Sequence, residues 1–134
     1  MTTEEVLEKN KLIAEFMGGK MIVTDYHGIN IIEFPDKSTK DLHGLKYHKS
    51  FDWLIPVVEK IELIHDDFHG YFGVHITSNS CAIQGTRLNT SIENPHYAYF
   101  AEWHGTTKIE ATYIAVVNWI RWWNQKQKDE ITNS

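Results

Sequence analysis

The chain has only one cysteine, Cys81, in 134 residues. A single cysteine excludes an internal disulfide and any zinc site built from several thiolates, and this scarcity is typical of a reducing compartment. Inside an apolar stretch, Cys81 itself is expected to be a small buried side chain. The chain also lacks an apolar run near the ~20 residues of a membrane-spanning helix, and its acidic start, MTTEE, is unlike a basic signal peptide. We therefore expect a cytoplasmic protein that does not enter a membrane.

Positive charge is scarce as well. The chain has 13 lysines and arginines against 18 aspartates and glutamates, and its formal net charge is −5. Because this balance produces no overall basic field, we do not expect sequence-independent binding to nucleic acid. Glycine-rich phosphate loops and dinucleotide fingerprints are absent, so no cofactor is expected. Apolar residues are plentiful, at 42% with five tryptophans, which is enough for residues 1–134 to fold as a single domain.

Three segments have apolar residues at helical spacing and predict helices over residues 3–17, 52–65 and 107–128. The last is the longest and has the broadest apolar face, so the rest of the chain is expected to fold against it. Its start is marked by Thr107 and Glu110, which have the spacing of a capping box.

The start of the second helix depends on Pro56. We predict Asp52 rather than Ser50 as the N-cap residue, because this choice places Pro56 near the helix start, where a missing amide hydrogen costs little. Val58 on this helix and Val116 on the third helix are expected to be buried.

Five segments rich in β-branched and aromatic residues predict strands, at about 21–24, 29–34, 71–77, 81–86 and 97–103. The last three are separated only by turn residues, which favours an antiparallel meander. The predicted fold is therefore α+β, with an antiparallel sheet that carries the three helices on one face.

Between the first strands and the second helix, residues 35–49 are polar and are expected to form a surface loop. This loop carries four lysines, Lys37, Lys40, Lys46 and Lys49. Weak binding of an anion or of nucleic acid is one interpretation of them. Since Asp36 and Asp41 offset part of the charge, a solvated loop is the simpler one.

The three predicted helices contain distinctive blocks, NKLIAEFMG at 10–18, DWLIPVVEKIE at 52–62 and KIEATY at 108–113. These blocks resemble those of a family of small uncharacterised proteins from Bacteroidota and their phages. The family has no assigned activity, so the resemblance brings no catalytic residue with it. It implies an accessory protein of a bacterium or phage that acts in the cytoplasm.

Eight histidines raise the question of a metal site, and the best local cluster is His65, Asp67 and His69. Two histidines four residues apart share a face only if the helix continues through both. Gly70 follows at once and the second helix should be ending, so we expect the two imidazoles to diverge and no metal to bind. A small metal-dependent hydrolase that uses these three residues, with His48 as a further candidate, is kept as an alternative.

Aromatic residues alternate along the last predicted strand, at Tyr97, Tyr99 and Trp103. One sheet face could therefore present rings to nucleic-acid bases. Only Arg87 and Lys108 supply positive charge between residues 66 and 112, however, so packing of these rings inside the protein is the favoured interpretation.

The third helix suggests a surface for a partner. Trp122 lies beyond the edge of its core-facing arc beside Ala111 and Ala115, and Ile114 lies beyond the opposite edge. Either other elements of the chain cover this strip, or it binds a second copy or a partner protein. Together these patterns favour a non-enzymatic accessory or protein-interaction protein.

Overall fold

All three predicted helices are present in the computed structural model, which describes residues 1–24, 30–88, 97–104 and 107–132. They are α1 at Thr3–Phe16, α2 at Phe51–Leu63 and α3 at Lys108–Thr132. The start of α1 is capped by a side chain, because the Thr2 hydroxyl accepts the Glu5 amide hydrogen at 3.2 Å. The Thr107 hydroxyl likewise accepts the Glu110 amide hydrogen at 3.1 Å.

The described strands form two antiparallel sheets. The first sheet has the order β1–β2–β3, formed by Lys20–Thr24, Asn30–Glu33 and Thr39–Asp41. The second sheet has the order β4–β5–β6–β7, formed by His65–Asp66, Gly70–Ile76, Ser80–Leu88 and Tyr97–His104. The α+β class and the meander of the last three strands are confirmed. The strands nevertheless form two sheets where the sequence suggested one.

Helices α2 and α3 lie against the second sheet, with α2 on β5 and α3 on β6 and β7. Phe72 and Ile83 are buried on the face that the helices cover, whereas Tyr71 and His75, on alternate positions of β5, are exposed. Helix α1 packs on α3. Val58 and Val116 are buried as predicted, and Cys81 is also buried in this core.

The predicted N-cap of α2 is wrong, because Ser50 takes that position and Asp52 lies in the first turn. Ser50 acts through its backbone carbonyl, which accepts the amide hydrogens of Trp53 and Leu54, each at 3.1 Å. Pro56 is therefore inside the helix. The carbonyl that loses its partner belongs to the exposed Asp52, where water can replace the missing donor.

Residues 37–49 are more ordered than the predicted surface loop. They contain β3 and a turn of 3-10 helix at Leu42–Gly44, and they bury Leu42, Leu45 and Tyr47. Their four lysines are exposed, and Lys37 lies 3.9 Å from a Glu33 carboxylate oxygen. The segment is ordered because β3 pairs with β2. A polar strand of three residues has no hydrophobic pattern from which this pairing could be predicted.

Candidate binding groove

A groove of about 480 Å³ lies between the end of α1, the β2–β3 hairpin and the first turns of α2. Its volume is in the range typical of ligand sites, roughly 300–1,000 Å³. The groove is lined by Met17, Phe34, Pro35, Asp36, Ser38, Lys40, Tyr47, Asp52, Trp53 and Pro56. It therefore combines aromatic and proline side chains with a small number of charged groups.

One wall of the groove depends on a close approach between α1 and the hairpin. Gly18 follows α1 with a φ of 90°, a conformation that side chains other than glycine rarely adopt. A Cβ at this position would lie 2.8 Å from Cγ of Pro35, so the glycine also makes room for the proline. Met17 and Pro35 can therefore both line the groove.

The hairpin turn is held by its own hydrogen bonds. The Phe34 amide donates to the Ser38 carbonyl, and the Lys37 amide donates to the Phe34 carbonyl, both at 2.9 Å. Oδ1 of Asp36 accepts from the Ser38 amide at 2.9 Å and from its hydroxyl at 2.6 Å. These bonds, the side-chain one first, lower the pKa of Asp36. A fixed turn holds Phe34 and Pro35 in place without a ligand.

The floor of the groove contains two aromatic rings at nearly right angles. The Tyr47 and Trp53 ring centroids are 5.2 Å apart, and their planes meet at 88°. Tyr47 is only 4% exposed. Burial raises the pKa of Tyr47 to about 12, so its phenol is neutral and can donate a hydrogen bond at neutral pH.

Two hydrogen-bond donors on this floor have no acceptor among the described residues. Within the part of the chain that the structure describes, neither the Tyr47 hydroxyl nor the Trp53 indole nitrogen has a hydrogen-bond partner. Neither atom is sealed from solvent. Both donors are therefore available to a bound molecule.

The charges around the groove favour a positively charged ligand. Asp36 and Asp52 supply two carboxylates, against one ammonium from Lys40. The charge of Lys40 contributes to the lowered pKa of the Asp36 carboxyl group. Among the described residues, no hydrogen bond or ion pair engages the Asp52 carboxylate. Asp52 is therefore the lining carboxylate that has no side-chain partner among the described residues.

The partner strip predicted on α3 reaches the surface only in part. Ala111 and Ala115 are both 0% exposed, so that part of the prediction is wrong. Trp122 is half-buried and packs against the ring of Phe72, with centroids 5.8 Å apart. Ile114 is half-buried and lines a different groove, beside the start of α1. The two alanines are covered because α3 lies between the second sheet and α1.

The three candidate metal ligands have separate surroundings. His65 is exposed, with its ring 5.0 Å from that of Tyr71, and Asp67 is exposed too. Nδ1 of His69 lies 2.8 Å from Oδ1 of Asp66. In the described ranges, no three His, Cys, Asp or Glu side chains are placed to hold a metal ion. The cluster is dispersed because α2 ends at Leu63 and these residues lie on β4 and the turn after it.

Sequence reasoning missed the buried carboxylate of Asp66. Its Oδ1 accepts the amide hydrogens of Phe68 at 2.8 Å and His69 at 3.0 Å, and its Oδ2 is paired with Lys126. Burial lowers the pKa of His69, and Nδ1 of this ring donates to Asp66, because a carboxylate oxygen accepts. The His69 ring packs among the rings of Phe68, Phe72 and Trp122. This arrangement joins β4 and β5 to α3 and is structural.

His48 is also part of a structural network. Asn10 is buried and donates from Nδ2 to the Leu45 carbonyl at 3.2 Å, which fixes the orientation of its amide. The same nitrogen lies 3.0 Å from Nδ1 of His48, so that ring nitrogen must accept. The Tyr113 hydroxyl donates to Oδ1 of Asn10 at 3.0 Å. His48 therefore connects the loop before α2 to α1 and α3.

Tyr97, Tyr99 and Trp103 lie on β7, but their side chains are outside the described part of the structure, so the choice between internal packing and a nucleic-acid surface stays a prediction. No protein-family model, curated protein or solved structure matches the chain.

Among the described residues, none of the helices has both the length and the apolar character needed to cross a membrane.

Proposed function

We propose that this protein is a non-catalytic protein-interaction module, and that its groove holds an extended segment of a partner protein that carries a basic side chain. The observation that carries the proposal is the Tyr47–Trp53 pair, two perpendicular rings in the groove lining whose polar atoms have no hydrogen-bond partner among the described residues. Tyrosine and tryptophan are the residues most enriched among the energetic centres of protein interfaces.

The chemistry of the groove supports binding rather than catalysis. Among the described residues, its lining includes no histidine or cysteine. The pKa of Tyr47, at about 12, is too high for this residue to serve as a general base at neutral pH. The two carboxylates differ in their surroundings: Asp36 accepts hydrogen bonds within its own turn, and Asp52 has no partner among the described residues. They are suited to attracting a cation more than to exchanging a proton.

The groove replaces the strip on α3 as the proposed partner surface, because Ala111 and Ala115 are not accessible. The cytoplasm of a bacterium, or of a cell infected by a phage, is part of the proposal, and it rests on the resemblance of the three helical blocks.

Selection from a displayed library of random short peptides tests this function. The wild-type protein is used for selection, and Trp53→Ala is used to remove peptides that bind elsewhere. Tyr71→Ala is the matched control, since Tyr71 is another partly exposed aromatic residue but lies on the sheet, outside the groove lining. We expect peptides that bind the wild type and Tyr71→Ala equally and lose at least about tenfold in affinity for Trp53→Ala.

Circular dichroism and thermal unfolding of both variants establish that they are folded. If no selected peptide distinguishes a folded Trp53→Ala protein from the wild type, the groove does not bind a protein segment. The proposed function is then wrong.

A further inference from the structure

We infer that the segment bound in the groove is proline-rich and adopts the polyproline II conformation. This inference rests on the proposed function, because it names the class of peptide that the same groove takes. It follows from the kinds of hydrogen-bonding groups on the groove floor and from the shape of that floor.

The floor offers donors, and a polyproline segment offers acceptors. The Tyr47 hydroxyl and the Trp53 indole N–H both lack an acceptor among the described residues. Carbonyl groups on a ligand would satisfy them. A polyproline II helix has no internal hydrogen bonds, so its carbonyls remain free to accept. Proline also has no amide hydrogen, so the ligand leaves few donors to be satisfied by an apolar floor.

The apolar surface of the groove also suits proline rings. The rings of Trp53 and Tyr47 meet at 88°, and Phe34, Pro35 and Pro56 supply further apolar surface. Aromatic-lined grooves of this kind accept a polyproline II helix because that helix is preformed and loses little conformational entropy on binding. An α-helical ligand, by contrast, has its carbonyls engaged in its own backbone hydrogen bonds.

Asp52 indicates where a basic residue of the peptide would bind. It lies next to Trp53 at the start of α2, and its carboxylate is unpaired in the described structure. A guanidinium can bind a carboxylate through two hydrogen bonds and can stack on an indole ring. An arginine that flanks the prolines therefore fits this end of the groove better than an acidic residue does.

The test measures binding of three synthetic peptides to the intact protein by isothermal titration calorimetry. The first is a run of prolines flanked by arginines. The second replaces the prolines with alternating glycine and serine, and the third replaces the arginines with glutamates. We expect the first peptide to bind at least about tenfold more tightly than either of the others, because the preformed helix and the charge both contribute.

Two conservative variants locate the contacts. Tyr47→Phe removes only the hydroxyl, and Trp53→Phe keeps an aromatic ring while removing the indole N–H. Each is expected to weaken binding of the first peptide by about fivefold, as for the loss of one hydrogen bond. Asp52→Asn should weaken it similarly and reduce its dependence on salt. Tyr71→Ala should leave it unchanged.

Equal binding of the proline and the glycine–serine peptides overturns the inference. Selected peptides that depend on Trp53 but contain no proline also overturn it, and they leave the proposed function in place. If no peptide of any kind depends on Trp53, both are wrong. The two failures are therefore distinguishable.

Discussion

Oδ1 of Asp66 accepts a hydrogen bond from Nδ1 of His69 at 2.8 Å, and the other oxygen of the same carboxylate is paired with Lys126 on α3. The Asp66 side chain is only 1% exposed. A buried charge is stable only when its partners satisfy it. Asp66 therefore ties the β4–β5 turn to the last turns of a helix that lies 60 residues further along the chain.

Asp66→Ala is expected to lower the free energy of unfolding by about 3 kcal/mol, because it leaves two backbone amides, His69 and Lys126 without their acceptor. Glu59 is an exposed carboxylate on α2, and Glu59→Ala is the control. This change should alter the free energy of unfolding by less than about 0.5 kcal/mol. Urea denaturation at neutral pH measures both. A loss for Asp66→Ala no larger than that of the control would show that the pair contributes nothing to stability.

The protein should lose stability as the pH falls through the range in which histidine ionises. Burial first, and then the charge of Lys49, lower the pKa of His48 below its ordinary value of 6.5. The unfolded chain therefore binds this proton more readily than the folded one. The resulting stability is fully present above the ordinary pKa and is lost as the pH falls below it.

We expect His48→Gln to reduce this dependence on pH, because glutamine can accept from Asn10 without taking up a proton. His43→Gln, at an exposed histidine nearby, is the control and should retain the wild-type slope. Urea denaturation between about pH 7.5 and pH 5 measures the slope. His69, whose pKa burial also lowers, accounts for a remaining part of it. An unchanged slope for His48→Gln would contradict the network.

Gly18→Ala should destabilise the protein by about 2 kcal/mol, because a side chain strains the left-handed backbone and meets Pro35. Gly44→Ala is the matched control, since a Cβ there meets nothing within 4 Å. Thermal and urea unfolding compare the two. Because Pro35 lines the groove, Gly18→Ala should also weaken binding of the proline–arginine peptide. Equal stability of the two variants would show that the close approach is not needed.

Lys60→Met is expected to lower the free energy of unfolding by about 1 kcal/mol. Lys60 donates to the Phe16 carbonyl at the end of α1 and lies 4.5 Å from the centroid of the Phe16 ring. Methionine keeps much of the apolar stem but removes the charge and the donor. Lys20→Met, at an exposed lysine, is the control. Urea denaturation that shows equal effects of the two changes would contradict a capping role for Lys60.

The sequence determined the helices, the meander and the α+β class, because these depend on local patterns. Apolar residues recur at helical spacing from Ile109 to Trp123, and this periodicity predicts α3 whatever covers it. Thr107 and Glu110 mark its start with groups only three residues apart. The order of β5, β6 and β7 could also be predicted, because the three strands follow one another in the chain with only turn residues between them, and such strands usually pair as neighbours.

Only the tertiary structure decided the rest, because it depends on contacts between residues far apart in the chain. The polar strand β3 exists because β2 offers it hydrogen bonds, and Ala111 is buried because the second sheet and α1 enclose α3. The sequence around Asp66 does not predict its pairing with Lys126, which lies 60 residues further along the chain. The groove is likewise assembled from three elements, where Tyr47, from a segment that looked like a surface loop, meets Trp53 on a helix.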